Sequence, residues 1–357
     1  MWIFLLLSAG LFMGWSLGTN DAANAFGTAV ATRVVKYRTA VTIIAVMVIL
    51  GAALLGHENI DKLSSIAMNN EVVASQADVD AAKAAGEAAM RTLQIKSALK
   101  AFIIFACSGL TVFIMSYLKF PVSANQSITG AVIGWGLCYA NYNDPALLKT
   151  NLMEIVEFVS TWLINPLGAA IISFVLVFFV KKFIEKRLTS MRNYDIIVKL
   201  GYIVAGAFSA FSIGQNSSAS VTAFYFDATG EGANLLTSAR VTAIIGGVAI
   251  AIGVLTFSKR VMMTVGGSIA EISQVDGFVV IIASALTVLL MGKFMGIPVS
   301  TSQSVVGAVV GAGLVGGIKK VNFGVFKRIA IAWVSSPTVA GLLTYIVAVC
   351  AYPYFNA

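Results

Sequence analysis

The sequence predicts an all-α integral membrane protein with two inverted-topology repeats, whose broken or re-entrant helical hairpins meet at mid-membrane. Three observations predict this fold: an apolar composition, a series of long apolar segments and a duplicated motif. Of the 357 residues, 58% are hydrophobic and only 11% are charged, and the mean hydropathy is +0.89. A soluble domain of this length is far more polar. We therefore expect a multi-pass protein surrounded by membrane lipids.

Eight apolar stretches are interpreted as membrane crossings, each of which takes about 20 helical residues for a hydrocarbon core of ~30 Å. They lie at residues 2–17, 39–56, 97–117, 152–180, 197–213, 237–257, 277–292 and 323–350. Two shorter Gly-rich stretches, 121–138 and 298–316, begin with Pro-Val-Ser and are predicted to combine a broken or re-entrant piece with a helix. Counting these two gives ten crossings.

The basic residues orient the crossings, because cytoplasmic loops carry an excess of Lys and Arg. With ten crossings, the basic groups at 33–38, 181–192, 259–260 and 319–328 all fall on one side. That side is predicted to be the cytoplasm, which places both termini and the loop 57–96 outside the cell membrane. The formal net charge of +8 resides in these short groups rather than on a polar face with aromatic residues, so no nucleic-acid partner is expected.

The second half of the chain repeats the first. Residues 121–137 read PVSANQSITGAVIGWGL and residues 298–314 read PVSTSQSVVGAVVGAGL. Two further elements recur in the same order, Trp162 to Pro166 with Trp333 to Pro337, and Gly18-Thr-Asn-Asp with Gly214-Gln-Asn-Ser.

Five crossings per half is an odd number, so the second copy enters the membrane from the opposite side. The first repeat is predicted to span 1–192, with the extramembrane loop 57–96 and a cytoplasmic basic linker at 181–192. The second spans 193–357.

Polar residues inside the apolar segments concentrate in the repeated motifs. Hydroxyls, amides and the N-terminus of a helix together form a neutral hydrogen-bonding cage that suits an oxyanion. The predicted anion-binding residues are Asn20, Asn24, Ser123, Asn125, Gln126, Ser127, Gln215, Asn216, Ser217, Ser300, Thr301, Ser302, Gln303 and Ser304. The alternative role of any single Ser or Thr is to satisfy a neighbouring backbone group.

Asp21 is the only carboxylate in these clusters, and an ionisable residue in a membrane segment marks a functional site by default. Together with Asn20 and Asn24 it offers oxygen ligands to a coupling Na⁺, or it takes up and releases a proton. No resident cofactor is expected.

The motif Gly18-Thr-Asn-Asp-Ala-Ala-Asn24-Ala and the two Pro-Val-Ser tips resemble the inorganic phosphate transporter (PiT) family. The mark of that family is a Gly-Ala-Asn-Asp-Val-Ala-Asn-Ala type motif in each half. The resemblance covers the chain apart from the loop 57–96. It implies cation-coupled symport of phosphate, or of sulfate in some bacterial members, by an elevator-like or rocking movement, often as a homodimer. By this resemblance Asp21, Asn20 and Asn24 would bind the cation, and the tips at 123–127 and 300–304 would hold the anion.

The sequence departs from the family pattern in two places. The second motif, Gly214-Gln-Asn-Ser-Ser-Ala-Ser220, lacks the Asp and the second Asn, which leaves the cation stoichiometry open and Asn216 as the candidate for a second cation site. The tips carry Gln126 and Gln303 where phosphate-carrying members commonly place a His.

Phosphate is favoured over sulfate because phosphate donates hydrogen bonds as well as accepting them, and Asp21 supplies an acceptor. Sulfate transport in the same family is the alternative. From another class, an anion channel would arrange identical filters around a pore rather than duplicate an inverted half-site. An enzyme would need a nucleophile with its base or a metal cluster, and the sequence offers neither, so the chain is expected not to be an enzyme.

Overall fold

The computed structural model describes residues 2–60, 63–64, 76–118, 122–142, 147–184, 190–226, 235–265, 272–295 and 299–356. Within them the fold is helical, and the extended pairing is an isolated bridge between Phe226 and Leu236. The helices of the first half are α1 (Trp2–Ala31), α2 (Tyr37–Leu55), α3 (Gln76–Ala85), α4 (Glu87–Tyr117), α5 (Ala124–Tyr142) and α6 (Leu147–Phe179). Those of the second half are α7 (Met191–Ser217), α8 (Ala219–Thr222), α9 (Ala239–Phe257), α10 (Lys259–Val265), α11 (Gln274–Met295), α12 (Thr301–Val315) and α13 (Phe323–Asn356).

Seven helices in the described ranges are long and apolar enough to cross a membrane: α2, α4, α6, α7, α9, α11 and α13. They coincide with seven of the eight long segments that the sequence predicts. The eighth belongs to α1, whose 30 residues correspond to about 45 Å of helix. The prediction of an all-α membrane fold is confirmed, whereas the total of ten crossings and their orientation stay predictions.

Both Pro-Val-Ser tips lead into helices, as predicted, although Pro121 and Pro298 lie outside the described residues. Ser123 precedes α5 and Ser300 precedes α12. The Ala-rich part of the loop 57–96, residues 74–95, is also interpreted from the sequence as an extramembrane helix. The structure has helix there, namely α3 and the first turns of α4, which begins before the predicted crossing at 97–117. Gly86, with φ of +102°, separates α3 from α4, since a left-handed backbone ends one helix without the steric cost of a Cβ. Within the predicted linker 181–192, a π-helical segment, Val180–Ile184, extends α6.

Helices of the first half pack against helices of the second half in matching pairs. The tip helix α12 packs on α6 and the tip helix α5 packs on α13, so each lies against the last long helix of the other half. In the same way α2 packs on α7 and α9 packs on α1. Each of these four contacts therefore has a counterpart related by the repeat.

Glycines permit these exchanged contacts. Gly307 on α12 touches the backbone of Pro166, and Gly130 on α5 touches the backbone of Pro337. Small residues at such crossings allow two helix backbones to approach closely. The predicted packing role of the glycines in both tip helices follows from these contacts.

We expect Gly307→Ala to lower stability, because the new methyl group would overlap the Pro166 carbonyl, which belongs to a helix and has little freedom to move. Overpacking of this kind typically costs about 1–3 kcal/mol. Thermal unfolding of the purified protein in detergent measures the effect. Gly168→Ala in α6 is the control, since its nearest new neighbour would be the flexible end of Met291 at 3.4 Å. Equal unfolding temperatures for the two variants would contradict the packing role.

Candidate functional site

The two tips have the same local structure. Ser123 Oγ accepts the backbone N–H of Gln126 at 3.2 Å, and Ser300 Oγ accepts that of Gln303 at 3.2 Å. Each Ser therefore caps its helix, as a residue at this position commonly does. These hydrogen bonds explain why Ser occurs at this position in both halves, since they use the backbone N–H of each Gln and not its side chain. They also give Ser123 and Ser300, both predicted to bind the anion, a capping role.

The tips are hydrogen-bonded to each other. Asn125 Nδ2 donates to the Val299 carbonyl at 2.7 Å, and Ser302 Oγ donates to the Val122 carbonyl at 3.0 Å. Asn125 and Ser302 occupy equivalent positions in the repeat, and so do Val122 and Val299. The contact is therefore reciprocal, and each tip holds an irregular backbone carbonyl of the other.

Asp21 lies against the second tip. The Thr301 hydroxyl donates to Asp21 Oδ2 at 2.8 Å, and Asn24 Nδ2 lies 3.2 Å from Asp21 Oδ1. Asn24 Nδ2 also donates to Ser302 Oγ at 3.0 Å. The carboxylate is buried, with 3% of its residue surface exposed. It lies at the first turn of α12, where the partial positive charge of a helix N-terminus favours an anionic group.

These bonds connect three parts of the chain. Asn24 on α1 donates to Ser302 on the second tip, and Ser302 donates to Val122 on the first tip. Asp21 and Thr301 lie beside this chain of hydrogen bonds. Asp21 is therefore connected, through Asn24, to the groups that hold the tips together.

The second motif holds the second tip through its backbone. Asn216 Nδ2 donates to the Val299 carbonyl at 2.8 Å, and Asn216 Oδ1 accepts the Val299 N–H at 3.0 Å. Both polar atoms of the amide therefore bind the backbone of one residue, Val299. Its first-half equivalent, Asn20, donates to Ser116 Oγ on α4 at 2.9 Å.

Asn165 is a site residue that sequence reasoning missed. It donates to the Ser300 carbonyl at 2.7 Å, and its Oδ1 accepts from Ser304 Oγ at 2.7 Å. Ser304 also reaches the Ser300 carbonyl at 3.1 Å, as Ser127 reaches that of Ser123 at 3.3 Å. The signal that could have identified Asn165 is its place just before Pro166 in a repeated element.

The glutamines of the tips point elsewhere. Gln126 and Gln303 line a cavity of about 660 Å³ that also touches Trp162 and Trp333, and Asp21 is not among its lining residues. Both amide atoms of Gln126 and the Oε1 of Gln303 are buried without a hydrogen-bond partner in the described residues. The remaining predicted residues, Gln215 and Ser217, lie buried at the end of α7.

The fold and this buried polar centre define the class of protein: a multi-pass helical membrane protein whose polar groups meet where two irregular tips touch. The chain belongs to the phosphate transporter family, whose sequence model matches residues 17–344. This is a family of transporters rather than enzymes, and phosphate is the substrate that membership implies.

Relatives and a solved structure agree with this assignment. Candidate phosphate permeases of Pyrococcus horikoshii and Pyrococcus abyssi are 28% and 26% identical over 97% of both chains. One from Methanocaldococcus jannaschii is 27% identical over 97% of this chain and 96% of its own. A solved structure, "The sodium-dependent phosphate transporter", has a TM-score of 0.71 at 21% identity, with coverage of 99% of this chain and 100% of that one. At this identity the likeness establishes the fold.

We expect Asn216→Ala to loosen the second tip, because it removes the acceptor of the Val299 N–H and one of the two donors to the Val299 carbonyl, the other being Asn125. Each buried group left unsatisfied costs about 1–3 kcal/mol. Hydrogen–deuterium exchange of a peptide containing Val299 measures the loss of protection directly.

Ser217→Ala is the matched control, since its hydroxyl only accepts a 3.4 Å contact from Asn216. Unchanged exchange around Val299 in Asn216→Ala would show that this amide does not hold the tip.

Proposed function

We propose that the protein is a cation-coupled symporter that imports inorganic phosphate, with Na⁺ as the preferred coupling ion and a proton as the alternative. One observation carries the proposal: the buried Asp21 carboxylate accepts the hydroxyl hydrogen of Thr301 at the start of a tip helix. A cation-binding group and an anion-binding element thus share one hydrogen bond. The solved structure titled "The sodium-dependent phosphate transporter" supports Na⁺ over a proton.

Coupling follows from electrostatics. An ionised Asp21 repels an anion at the N-terminus of α12, and it also engages the Thr301 hydroxyl. A cation bound by Asp21, Asn20 and Asn24 would cancel the repulsion and free that hydroxyl to donate to a phosphate oxygen. Each ion then raises the affinity of the other, since such a coupling free energy is reciprocal.

The anion in this proposal lies between the tips, beside Thr301 and Ser302. Binding there would draw on hydroxyl and amide groups that now bridge the tips, Ser302 and Asn125. The substrate would therefore loosen the contact between the tips as it binds. Movement of one unit against the other, around a site that the two repeats share, then provides alternating access.

The remaining features of the proposal rest on the sequence. We place the protein in the cell membrane with both termini outside, and we divide it into inverted repeats at residues 192 and 193. The matching contacts of the two halves support the division. A homodimer is proposed from the family resemblance. A second Na⁺ site on Asn216 is less favoured than the site on Asp21, because both polar atoms of the Asn216 amide already bind Val299.

We expect Asp21→Asn to abolish gradient-driven phosphate uptake. A neutral amide supplies no negative charge to bind the coupling cation, and it does not take up a proton at neutral pH. The assay is uptake of labelled phosphate into proteoliposomes, with Na⁺ and pH gradients imposed separately. Asp195→Asn is the control, since it removes the same charge at an exposed position of α7.

Normal concentrative uptake by Asp21→Asn would remove this carboxylate from the mechanism. Currents at single-channel rates in the wild-type protein would show that it is a channel rather than a carrier.

Phosphate should bind at least about tenfold more tightly than sulfate, a difference of ~1.4 kcal/mol. The reason is that protonated phosphate donates a hydrogen bond to a buried acceptor, whereas sulfate cannot donate one and meets repulsion. Competition of unlabelled sulfate against labelled phosphate uptake measures the ratio. Equal competition by both anions would favour the sulfate alternative.

A further inference from the structure

The cavity beside the two tip glutamines opens on the outer surface of α6 and α13. Its mouth is lined by Leu163 and Leu167 on α6 and by Val334 on α13, which are 66%, 63% and 66% exposed. Both helices are long and apolar enough to cross a membrane. The mouth of the cavity therefore faces the hydrocarbon of the bilayer rather than water.

The buried end of the cavity carries polar groups whose hydrogen-bonding capacity is unused. Gln126 and Gln303 are each 1% exposed, and Trp333 is 7% exposed. Both amide atoms of Gln126, the Oε1 of Gln303 and the Nε1 of Trp333 have no hydrogen-bond partner among the described residues. An unpaired polar group in an apolar medium costs free energy, so these atoms indicate a polar partner that enters the cavity.

The serine caps place the two amides on one cavity. Ser123 and Ser300 accept the backbone N–H groups of Gln126 and Gln303, which fixes the backbone of each glutamine but leaves its side chain unused. The two glutamines occupy equivalent positions of the repeat, one on each tip helix. The last torsion of a glutamine side chain is soft, so each amide can turn towards a polar group in the cavity.

The lining selects a neutral partner that carries a hydroxyl group. No Lys, Arg, Asp or Glu of the described ranges lines the cavity, and a charged head group at this depth without a countercharge is costly. Gln126 Nε2 and Trp333 Nε1 are donors, whereas Gln126 Oε1 and Gln303 Oε1 are acceptors. A hydroxyl group both donates and accepts, so it can satisfy atoms of both kinds.

The rest of the cavity suits an apolar chain. Its volume of about 660 Å³ lies within the range of about 300–1,000 Å³ that is typical of small-molecule sites. Ala170 on α6 and Val310 on α12 line it between the polar end and the mouth residues. Because the mouth opens on the lipid-facing side, a chain longer than the cavity can continue into the bilayer.

We propose that this cavity binds a neutral lipid with one apolar chain and a hydroxyl-bearing head group, such as a monoacylglycerol, which enters sideways from the bilayer. The head group bonds to the amides of Gln126 and Gln303 and to the indole N–H of Trp333. The chain leaves between α6 and α13. The lipid thereby contacts both tip helices at a site that Asp21 does not line.

The test is quenching of tryptophan fluorescence by brominated lipids, with the protein in phospholipid nanodiscs. Trp162 and Trp333 line the cavity, and Trp2, Trp15 and Trp135 are replaced by Phe so that the two cavity residues alone report. We expect a dibrominated monoacylglycerol to quench saturably at low mole fraction. Brominated phosphatidylcholine should quench only in proportion to its mole fraction.

The variant Gln126→Leu/Gln303→Leu removes both amides at similar side-chain size, so the mole fraction for half-saturation should rise at least fivefold. Thr129→Val on α5 is the matched control and should leave that value unchanged, because the Thr129 hydroxyl already donates to the Asn125 carbonyl at 2.9 Å. If the double variant does not fold, Ala330→Phe, which narrows the cavity, should reduce the saturable quenching at least fivefold.

Saturable quenching that is unchanged in the folded double variant, or in a folded Ala330→Phe, would overturn the proposal. Equally saturable quenching by phosphatidylcholine would also overturn it, since the cavity would then be an ordinary contact with bilayer lipid. Protection of both tryptophans from either lipid would show that a protein surface, such as that of a second copy of the chain, covers the mouth instead.

Discussion

The structure depends on the contact between two irregular backbone tips that are buried away from water. Peptide groups at such a depth must find partners within the protein, because lipid supplies none. Here Asn125 and Ser302 each bind a carbonyl of the opposite tip, while Asn165 and Asn216 bind the second tip from its flanks. Short polar side chains thus replace the ladder of hydrogen bonds that a continuous helix would provide.

In the proposed function, the same constraint places the Asp21 carboxylate and the substrate together. Asp21 is buried, and its stabilisation in this structure comes from Thr301, from Asn24 and from the N-terminal end of α12. Those groups are also the ones suited to an oxyanion. In the proposed mechanism, a cation at Asp21 releases the Thr301 hydroxyl to the anion, so that each ion favours the binding of the other. In our account, this shared set of atoms is the physical origin of coupling.

Much of this arrangement could be predicted from the sequence, because the polar motifs that form it occur twice. The apolar segments predict seven of the membrane-length helices, and the two Pro-Val-Ser motifs predict tips that meet. The roles of individual tip residues are harder to predict from the sequence. Ser123 and Ser300 cap helices, and Gln126 faces a cavity that Asp21 does not line. These roles depend on the direction of each side chain, which is determined by how the helices pack and not by the local sequence. Asn165 was missed because its partner, Ser300, is 135 residues away in the chain.

The central claim is that substrate binds where the tips touch, and cross-linking between them tests it most directly. With Cys107, Cys138 and Cys350 replaced, Val122→Cys and Val299→Cys together place one thiol on each tip and keep Asn125 and Ser302, which contact the substrate in our account. A short bifunctional thiol reagent is predicted to join them, and phosphate with Na⁺ is predicted to slow the reaction while either ion alone has less effect. A reaction rate indifferent to both ions, or tips too far apart to join, would contradict the account.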